Sequence, residues 1–499
     1  MDAARRPYGR WQYGLAILLA AQCLVYALKM TDGFYDGMRH TNWSPPFYLM
    51  KAEVMHSVRF WTDGYAGFVS ATTETAVGRR PTEWYASHPQ LLAILLYVWT
   101  GLFGFAEWTA RSLVALATLF ATVLLWFAVR ERHGERRATM VAAVWAALPA
   151  TIVYGRNLEH EPFLALFLAL AALAHEKDAA GKRGWQWCWA AALVGLMWMD
   201  WPGFVFAALF LVSKRLRLYT ALGIAVGGAI VGAQVLLTVA THGGLLSFLW
   251  GQYYGRSGLG GSVPWGYWLQ KQNIYWQTNF TAVLGFLGLA WGIGARMRDW
   301  RSLRAGEMSL GAFFFLSAVG TLLYAMAVRN ASAVHLFYQY VYGLFVAWGL
   351  VEFIEWTEAR ASAPRRTLAW TIVLGVLLYQ GLELLYLPER GGPAEVSVLR
   401  MIKNYPPQTT VAGIGSPEDQ FLANPNVEYY SGRLIWFMYP DEAAGKDLVL
   451  LAPGDFELQS AALNYLAAPK FKFEPRACAP LFCLWEKTSV DSTKTRRRS

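Results

Sequence analysis

Long apolar runs divided by short clusters of arginine and lysine constrain this chain more than any other feature. Candidate runs lie near 13–30, 108–129, 138–155, 162–174, 187–199, 202–213, 218–240, 278–295, 308–328, 335–354 and 367–387. A helix crossing the hydrocarbon needs about 20 mostly apolar residues, so the pattern specifies a mainly α, polytopic membrane bundle of about eleven spans. Only 16% of the 499 residues are charged and 55% are hydrophobic. A soluble domain carries about 25% charged residues, and the shortfall is what lipid-facing surface produces. Disorder and a disulfide scaffold are excluded by the apolar content and by the four cysteines. The formal net charge of +10 sits in short clusters between the runs, which points to membrane lipids and not to nucleic acid as its surroundings.

One further run, 89–105, decides the topology. With 89–105 lying in the interface and the N-terminus in the cytoplasm, the clusters at 130–137, 177–183, 214–217, 296–304 and 360–366 all fall inside. That places roughly 17 basic residues on the cytoplasmic side against roughly four (Arg156, Arg256, Lys271, Arg329) opposite. Making the run a span reverses the bias, so it reads as an amphipathic or re-entrant helix on the outer face. The first apolar run has no small-residue cleavage site after it and reads as a retained anchor.

This topology leaves three segments outside a plasma (inner) membrane: a large first loop at 31–87, the short turn at 155–162, and everything after about 387. The domains are then a transmembrane module at 1–387 and an extracytoplasmic α/β domain at 388–499. In the latter, alternating stretches at 410–414 and 447–451 read as strands and 456–466 as a helix. Cys478 and Cys483 lie close together there, and an oxidising compartment would allow a bridge.

Ionisable groups at helix ends narrow the chemistry. Asp32 and Asp36 stand in Thr31-Asp32-Gly33-Phe34-Tyr35-Asp36-Gly37, just past the first span. Asp followed by Gly also builds ordinary helix-capping turns. The turn Gly155-Arg156-Asn157-Leu158-Glu159-His160-Glu161-Pro162 packs two carboxylates, an Arg and a His between two apolar helices. Glu161-Pro162 suits the opening of a helix, which leaves Arg156, Glu159 and His160 without a structural role. An arginine fork there fits a phosphate or carboxylate. His88 opens the interfacial helix, and Arg329 to His335 form another outer helix end beside an aromatic belt. The segment 241–276 reads as a Gly- and Trp-rich outer loop whose rings suit sugars or headgroups. Walker A, dinucleotide and zinc-finger spacings and the Gly-x-Ser-x-Gly elbow are absent from the sequence, so nucleotide-driven pumping has no support.

From Ser87-His88-Pro89-Gln90-Leu91 through Leu102-Phe103-Gly104 and Glu107 to Arg111, then Arg136-Arg137-Ala138, Pro149, Tyr154-Gly155-Arg156 and Glu161-Pro162, the sequence resembles the GT-C superfamily of polytopic glycosyltransferases. It looks like the branch of protein O-mannosyltransferases and the aminoarabinose transferase that acts on lipid A. Gln90 stands in place of that branch's second Pro, and His88 where the aminoarabinose enzymes carry Lys. The resemblance implies a donor sugar on a polyprenyl phosphate and an acceptor that is a glycan, lipid or protein hydroxyl. It implies acidic residues in the first two outer loops, which map onto Asp36 (with Asp32 secondary) and Glu161 (with Glu159 beside it). Arg156 and His88, then Arg329 and His335, are the candidates for the donor phosphate. No cofactor is required, and a divalent metal is allowed. The rival readings are a lipid-linked sugar flippase, which would want ionisable groups deep in the spans, and a polymerase or ligase of cell-surface polysaccharide.

Overall fold

The apolar runs become helices whose ends fall at the charged clusters. The computed structural model describes residues 10–28, 30, 44–57, 88–242, 244–257, 259, 263–298, 300–360, 363–386, 393–414, 425–433, 435–437, 443, 445–451, 466, 473–479 and 483–487. The helices run α1 (Arg10–Ala27), α2 (Ser44–Ser57), α3 (Leu91–Phe103), α4 (Glu107–Ala147), α5 (Pro149–Tyr154), α6 (Glu161–Ala179), α7 (Trp185–Met199), α8 (Pro202–Phe210), α9 (Arg217–His242) and α10 (Leu245–Ser257). They continue as α11 (Trp265–Phe280), α12 (Ala282–Arg298), α13 (Trp300–Arg304), α14 (Leu310–Ala327), α15 (Arg329–Ser332), α16 (Tyr342–Glu358), α17 (Ala363–Tyr386), α18 (Pro393–Lys403) and α19 (Pro425–Ser431). Five short strands are β1 (Val411–Ile414), β2 (Trp436–Phe437), β3 (Leu448–Leu451), β4 (Phe473–Cys478) and β5 (Cys483–Lys487). The chain divides into two compact units: one holds α1 and α3 to α17, the other α2 and everything from α18 onward.

By length and composition, four helical stretches are each apolar enough to cross a membrane: Glu107–Ala147, Arg217–Ala240, Leu310–Ala327 and Thr367–Tyr386. The bent pair Trp265–Phe280 and Ala282–Met297 would make a fifth. α4 is two limbs rather than one rod. Gly134 has φ 80°, and the Trp126 indole donates to the Thr139 hydroxyl at 3.0 Å across 13 residues. A continuous helix would separate those residues by about 20 Å, so the chain turns back at Gly134, between the two spans expected there. α3 has 13 residues, about 20 Å of helix against about 30 Å of hydrocarbon.

Two expectations need correction. The segment read as a loop at 241–276 is largely helical, forming α10 and most of α11. The run at 278–295 is broken at Thr281 (φ 63°), where α11 and α12 meet at 99°. α11 is rich in Trp, Gln and Asn and has none of α12's apolar continuity, so the bend falls where the composition changes.

Glycines set the tightest crossings, as expected where helices gain by close backbone approach. Gly223 and Gly227, one turn apart on α9, face Ala190 and Met197 of α7. On α12, Gly288 and Gly292 lie against α16, and a Cβ on Gly349 would sit 2.0 Å from the Gly288 carbonyl oxygen. One end of this bundle is tied by ion pairs: Arg132–Glu176 at 3.1 Å, Arg137–Glu352 at 3.1 Å, Arg296–Glu352 at 3.0 Å, Arg215–Asp178 at 2.6 Å and Lys177–Glu131. Arg136–Glu358 joins the same set.

In the second unit the sheet order is β2-β1-β3-β5-β4, with β1 parallel to β2 and β3 and the β3-β5-β4 edge antiparallel. Side chains alternate across the pleat. Leu448 and Leu450 pack on one face with Leu399, Ile402 and Val427 of the helices, while Val449 and Leu451 pack on the other with Phe473 and Trp485. α2 packs against α19. Cys478 and Cys483 face each other across β4 and β5 and are bridged. The strands expected at 410–414 and 447–451 are β1 and β3. Of the helix expected at 456–466, only Leu466 lies within the described residues.

Candidate active site

The turn at 155–160 is short because Gly155 lets it be. A Cβ there would lie 2.3 Å from both the Thr151 carbonyl oxygen and the Tyr26 hydroxyl. That hydroxyl donates to the Thr151 carbonyl at 3.1 Å, and Thr118 of α4 donates to the Gly155 carbonyl at 2.8 Å. Gly155→Ala is therefore expected to destabilise the protein by about 1–3 kcal/mol, the range for overpacking a filled core. A thermal melt of the detergent-solubilised chain against wild type would read it, and an unchanged midpoint would refute the close fit.

Two buried arginines hold the exit of α1. Arg156 donates to the Leu28 carbonyl at 2.8 Å and Arg111 to the Met30 carbonyl at 3.4 Å. Both are only 4% exposed. Carbonyls past a helix end have no partner of their own, so these side chains fix the point from which the first loop departs. Asp32 and Asp36 lie outside the described residues.

Beside that turn, three side chains from separate segments converge. His88 precedes α3, His160 precedes α6, and Asp200 occupies the break between α7 and α8; all three are buried. One donor atom from each lies within 4.8 Å of the other two. The imidazoles stack with centroids 4.3 Å apart, and His88 Nδ1 meets Asp200 Oδ1 at 2.7 Å. The same oxygen accepts the Trp201 N–H at 2.7 Å. Asp200 Oδ2 is buried and accepts no hydrogen bond among the described residues. Burial holds its carboxyl above the ordinary carboxylate range, offset by the charge of His160, the Trp201 N–H and the charge of Arg256. The break that presents Asp200 is tight: a Cβ on Gly203 would strike the Leu196 carbonyl at 2.2 Å, and Pro202 opens α8.

Glu161 joins this group electrostatically. It is buried and feels the charge of Asp200, while Oε2 has no hydrogen-bond partner among the described residues. Tyr324 of α14 is within electrostatic reach of Asp200, Glu161 and Arg256. Its ring lies 5.9 Å from Tyr338, which lies 5.9 Å from His335.

The structure thus brings together His88, His160 and Glu161 with Asp200, and sets Arg156 on the same turn. Glu159 is buried in that turn as well. Arg329 stacks over Trp265 at 4.2 Å, and His335 on Phe337 at 5.0 Å. No described contact joins either directly to His88, His160 or Asp200. Sequence reasoning passed over Asp200, Arg256 and Tyr324 as site residues. The signal available for Asp200 was an acidic residue before Pro202, set between two apolar runs each too short to cross alone.

A family model described as dolichyl-phosphate-mannose-protein mannosyltransferase matches residues 87–242. No curated protein matches the sequence. ArnT from Cupriavidus metallidurans, solved bound to undecaprenyl phosphate, shares the fold with a TM-score of 0.61 at 15% identity, covering 97% of this chain and 99% of that one. The oligosaccharyltransferase AglB from Archaeoglobus fulgidus, solved with an inhibitory peptide and a dolichol-phosphate, gives 0.54 at 13% identity over 96% of this chain and 75% of that one. An Archaeoglobus fulgidus oligosaccharyltransferase solved with Zn and sulfate gives 0.54 at 14% identity over 87% of this chain and 68% of that one. The resemblance read from the sequence is borne out: the chain has the GT-C fold of a multi-pass membrane protein.

Proposed function

We propose that this chain, having the GT-C fold, is a membrane glycosyltransferase that moves a sugar from a polyprenyl-phosphate donor to an acceptor hydroxyl at the outer face. The observation that carries the reading is the buried group of two carboxylates and two imidazoles at helix ends, beside an arginine-held first-loop exit. It occurs in a fold shared with proteins solved holding undecaprenyl phosphate and dolichol-phosphate. An ionisable cluster at helix ends suits chemistry on a lipid-borne phosphate better than a relay through the middle of the bilayer.

The acceptor oxygen attacks the anomeric carbon and gives its proton to Asp36. The bond from that carbon to the phosphate oxygen breaks, and its electron pair leaves with the polyprenyl phosphate. General-base help of this kind contributes about 10²–10⁴-fold, and one displacement inverts the anomeric centre. Glu161, with Glu159 near it, orients the acceptor. Arg156 and His88 stabilise the charge growing on the phosphate, with Arg256 placed by its field on Asp200 to assist, and Arg329 and His335 as further phosphate contacts. A divalent cation, for which His88, His160 and Asp200 are the fitting residues, would neutralise phosphate charge when bound. The acceptor is a glycan, lipid or protein.

In proteoliposomes containing polyprenyl-phosphate sugar, the purified chain is expected to release free polyprenyl phosphate as sugar appears on acceptor. Movement of intact donor across the bilayer with no broken glycosidic bond would overturn the reading in favour of a flippase. Products lengthened by whole oligosaccharide blocks would favour a polymerase or ligase. For orientation, the Cys478–Cys483 bridge supports an extracytoplasmic second unit, since such bonds persist in oxidising compartments. In intact cells a membrane-impermeant maleimide is expected to label these two cysteines only after reduction from outside. Absence of labelling after reduction would refute that placement, and labelling without reductant would refute the bridge.

A further inference from the structure

We infer that Tyr26 is a positioning residue for the donor phosphate and acts through Arg156. The inference rests on the transferase reading and adds to it a side chain inside α1, outside the ionisable group described above. Tyr26 is buried together with four other polar side chains, Gln22, Thr118, Thr122 and Thr151. Polar groups inside a spanning bundle are costly and tend to serve function.

Their hydrogen bonds converge on one turn. Gln22 Nε2 donates to the Tyr26 hydroxyl at 3.0 Å, which leaves that hydroxyl's proton for the Thr151 carbonyl at 3.1 Å. Thr122 Oγ1 lies 3.1 Å from Gln22 Oε1 and holds the amide that way round. On α4, Thr118 Oγ1 is 2.8 Å from the Gly155 carbonyl and 3.2 Å from the Val114 carbonyl of its own helix, so its single proton favours the turn. Arg156 follows directly and reaches back past α1, donating to the Leu28 carbonyl at 2.8 Å. Its guanidinium is held between the end of α1 and the Gly155 peptide, and Tyr26 joins those two points.

α5 closes without this hydroxyl. The Thr151 carbonyl already accepts the Gly155 N–H at 3.0 Å, the ordinary helical bond. Tyr26 is a second donor to a satisfied carbonyl, and what it supplies is placement. A misplacement of about 1 Å at a group that orients substrate can cost about 10²-fold, and a guanidinium fork facing phosphate is such a group.

The test uses the full-length chain in detergent, with undecaprenyl phosphate as the binding probe. Tyr26→Phe keeps the ring and removes only the hydroxyl. Affinity for the probe and kcat/KM for polyprenyl-phosphate sugar are expected to fall together by about 10- to 100-fold, with little change in the thermal midpoint. Thr118→Val should act in the same direction, and Thr118→Ser, which keeps the hydroxyl, should hold wild-type affinity. On an Arg156→Gln background, adding Tyr26→Phe should cost almost nothing further, because coupled residues are not additive. A merely structural hydroxyl would lower the midpoint and leave the affinity of the folded protein unchanged. That result, wild-type behaviour of Tyr26→Phe, or full additivity with Arg156→Gln would each overturn the positioning role alone. A wild-type chain that binds no undecaprenyl phosphate and transfers no sugar would instead overturn the transferase reading.

Discussion

Replacing Asp36 by asparagine is expected to lower sugar transfer by about 10²–10⁴-fold, the contribution of a positioned general base, with the melting midpoint unchanged. Asparagine keeps the shape and hydrogen-bonding reach of the side chain while removing its ability to take the acceptor proton. The loss should therefore fall on kcat, with donor affinity nearly as in wild type. Asp32→Asn, four residues nearer to Met30, is the companion measurement and is expected to stay within a few-fold of wild type. Equal losses in both would assign the two carboxylates a joint role, and wild-type turnover in Asp36→Asn would remove Asp36 from the mechanism. The prediction draws on the arginine-held exit of α1. Arg111 and Arg156 fix where this segment starts, through the carbonyls of Met30 and Leu28.

Gly349→Val is expected to have the largest effect on stability. The crossing of α12 and α16 is backbone on backbone, with a Cβ on Gly349 placed 2.0 Å from the Gly288 oxygen and 3.1 Å from the Gly292 nitrogen. Overpacking a filled core costs about 1–3 kcal/mol where side chains can shift. Here the obstacle is peptide and cannot rotate away, so the helices must separate along their length. A fall in the thermal midpoint, with aggregation or loss of monodisperse elution, is the expected result. Gly375→Ala on α17, with nothing within 4 Å of its Cβ, should hold the wild-type midpoint or exceed it, since alanine favours a helix by about 1 kcal/mol over glycine. Similar behaviour of the two variants would mean that the crossing is looser than the structure makes it.

Apolar length and basic clusters made the helices legible, and alternation made β1 and β3 legible. Both signals are local. The α10–α11 segment has the sequence of a loop because glycine and tryptophan density masks helical spacing, and its bend at Thr281 depends on how α12 packs. The turn at 155–161 announced itself because Arg156, Glu159, His160 and Glu161 are consecutive enough to see together. Asp200 did not. It stands 112 residues from the His88 side chain it meets, and a single acid before proline has the composition of any helix start. Arg256, counted among the outer basic residues, has no sequence signal linking it to Asp200 for the same reason. The Arg137–Glu352 and Arg132–Glu176 pairs likewise join residues far apart in sequence.

Those pairs have a mechanical consequence for α6. Its Glu176 and Asp178 are clasped by Arg132 and Arg215, and Lys177 between them is bound to Glu131. Glu161 lies fifteen residues away at the other tip, about 22 Å along the axis. A rod with its foot clamped cannot slide. Whatever enters beside Glu161 can move that tip only by tilting the helix about its clamped base, and a small swing there changes the spacing between Glu161 and Asp200 while leaving the far end still.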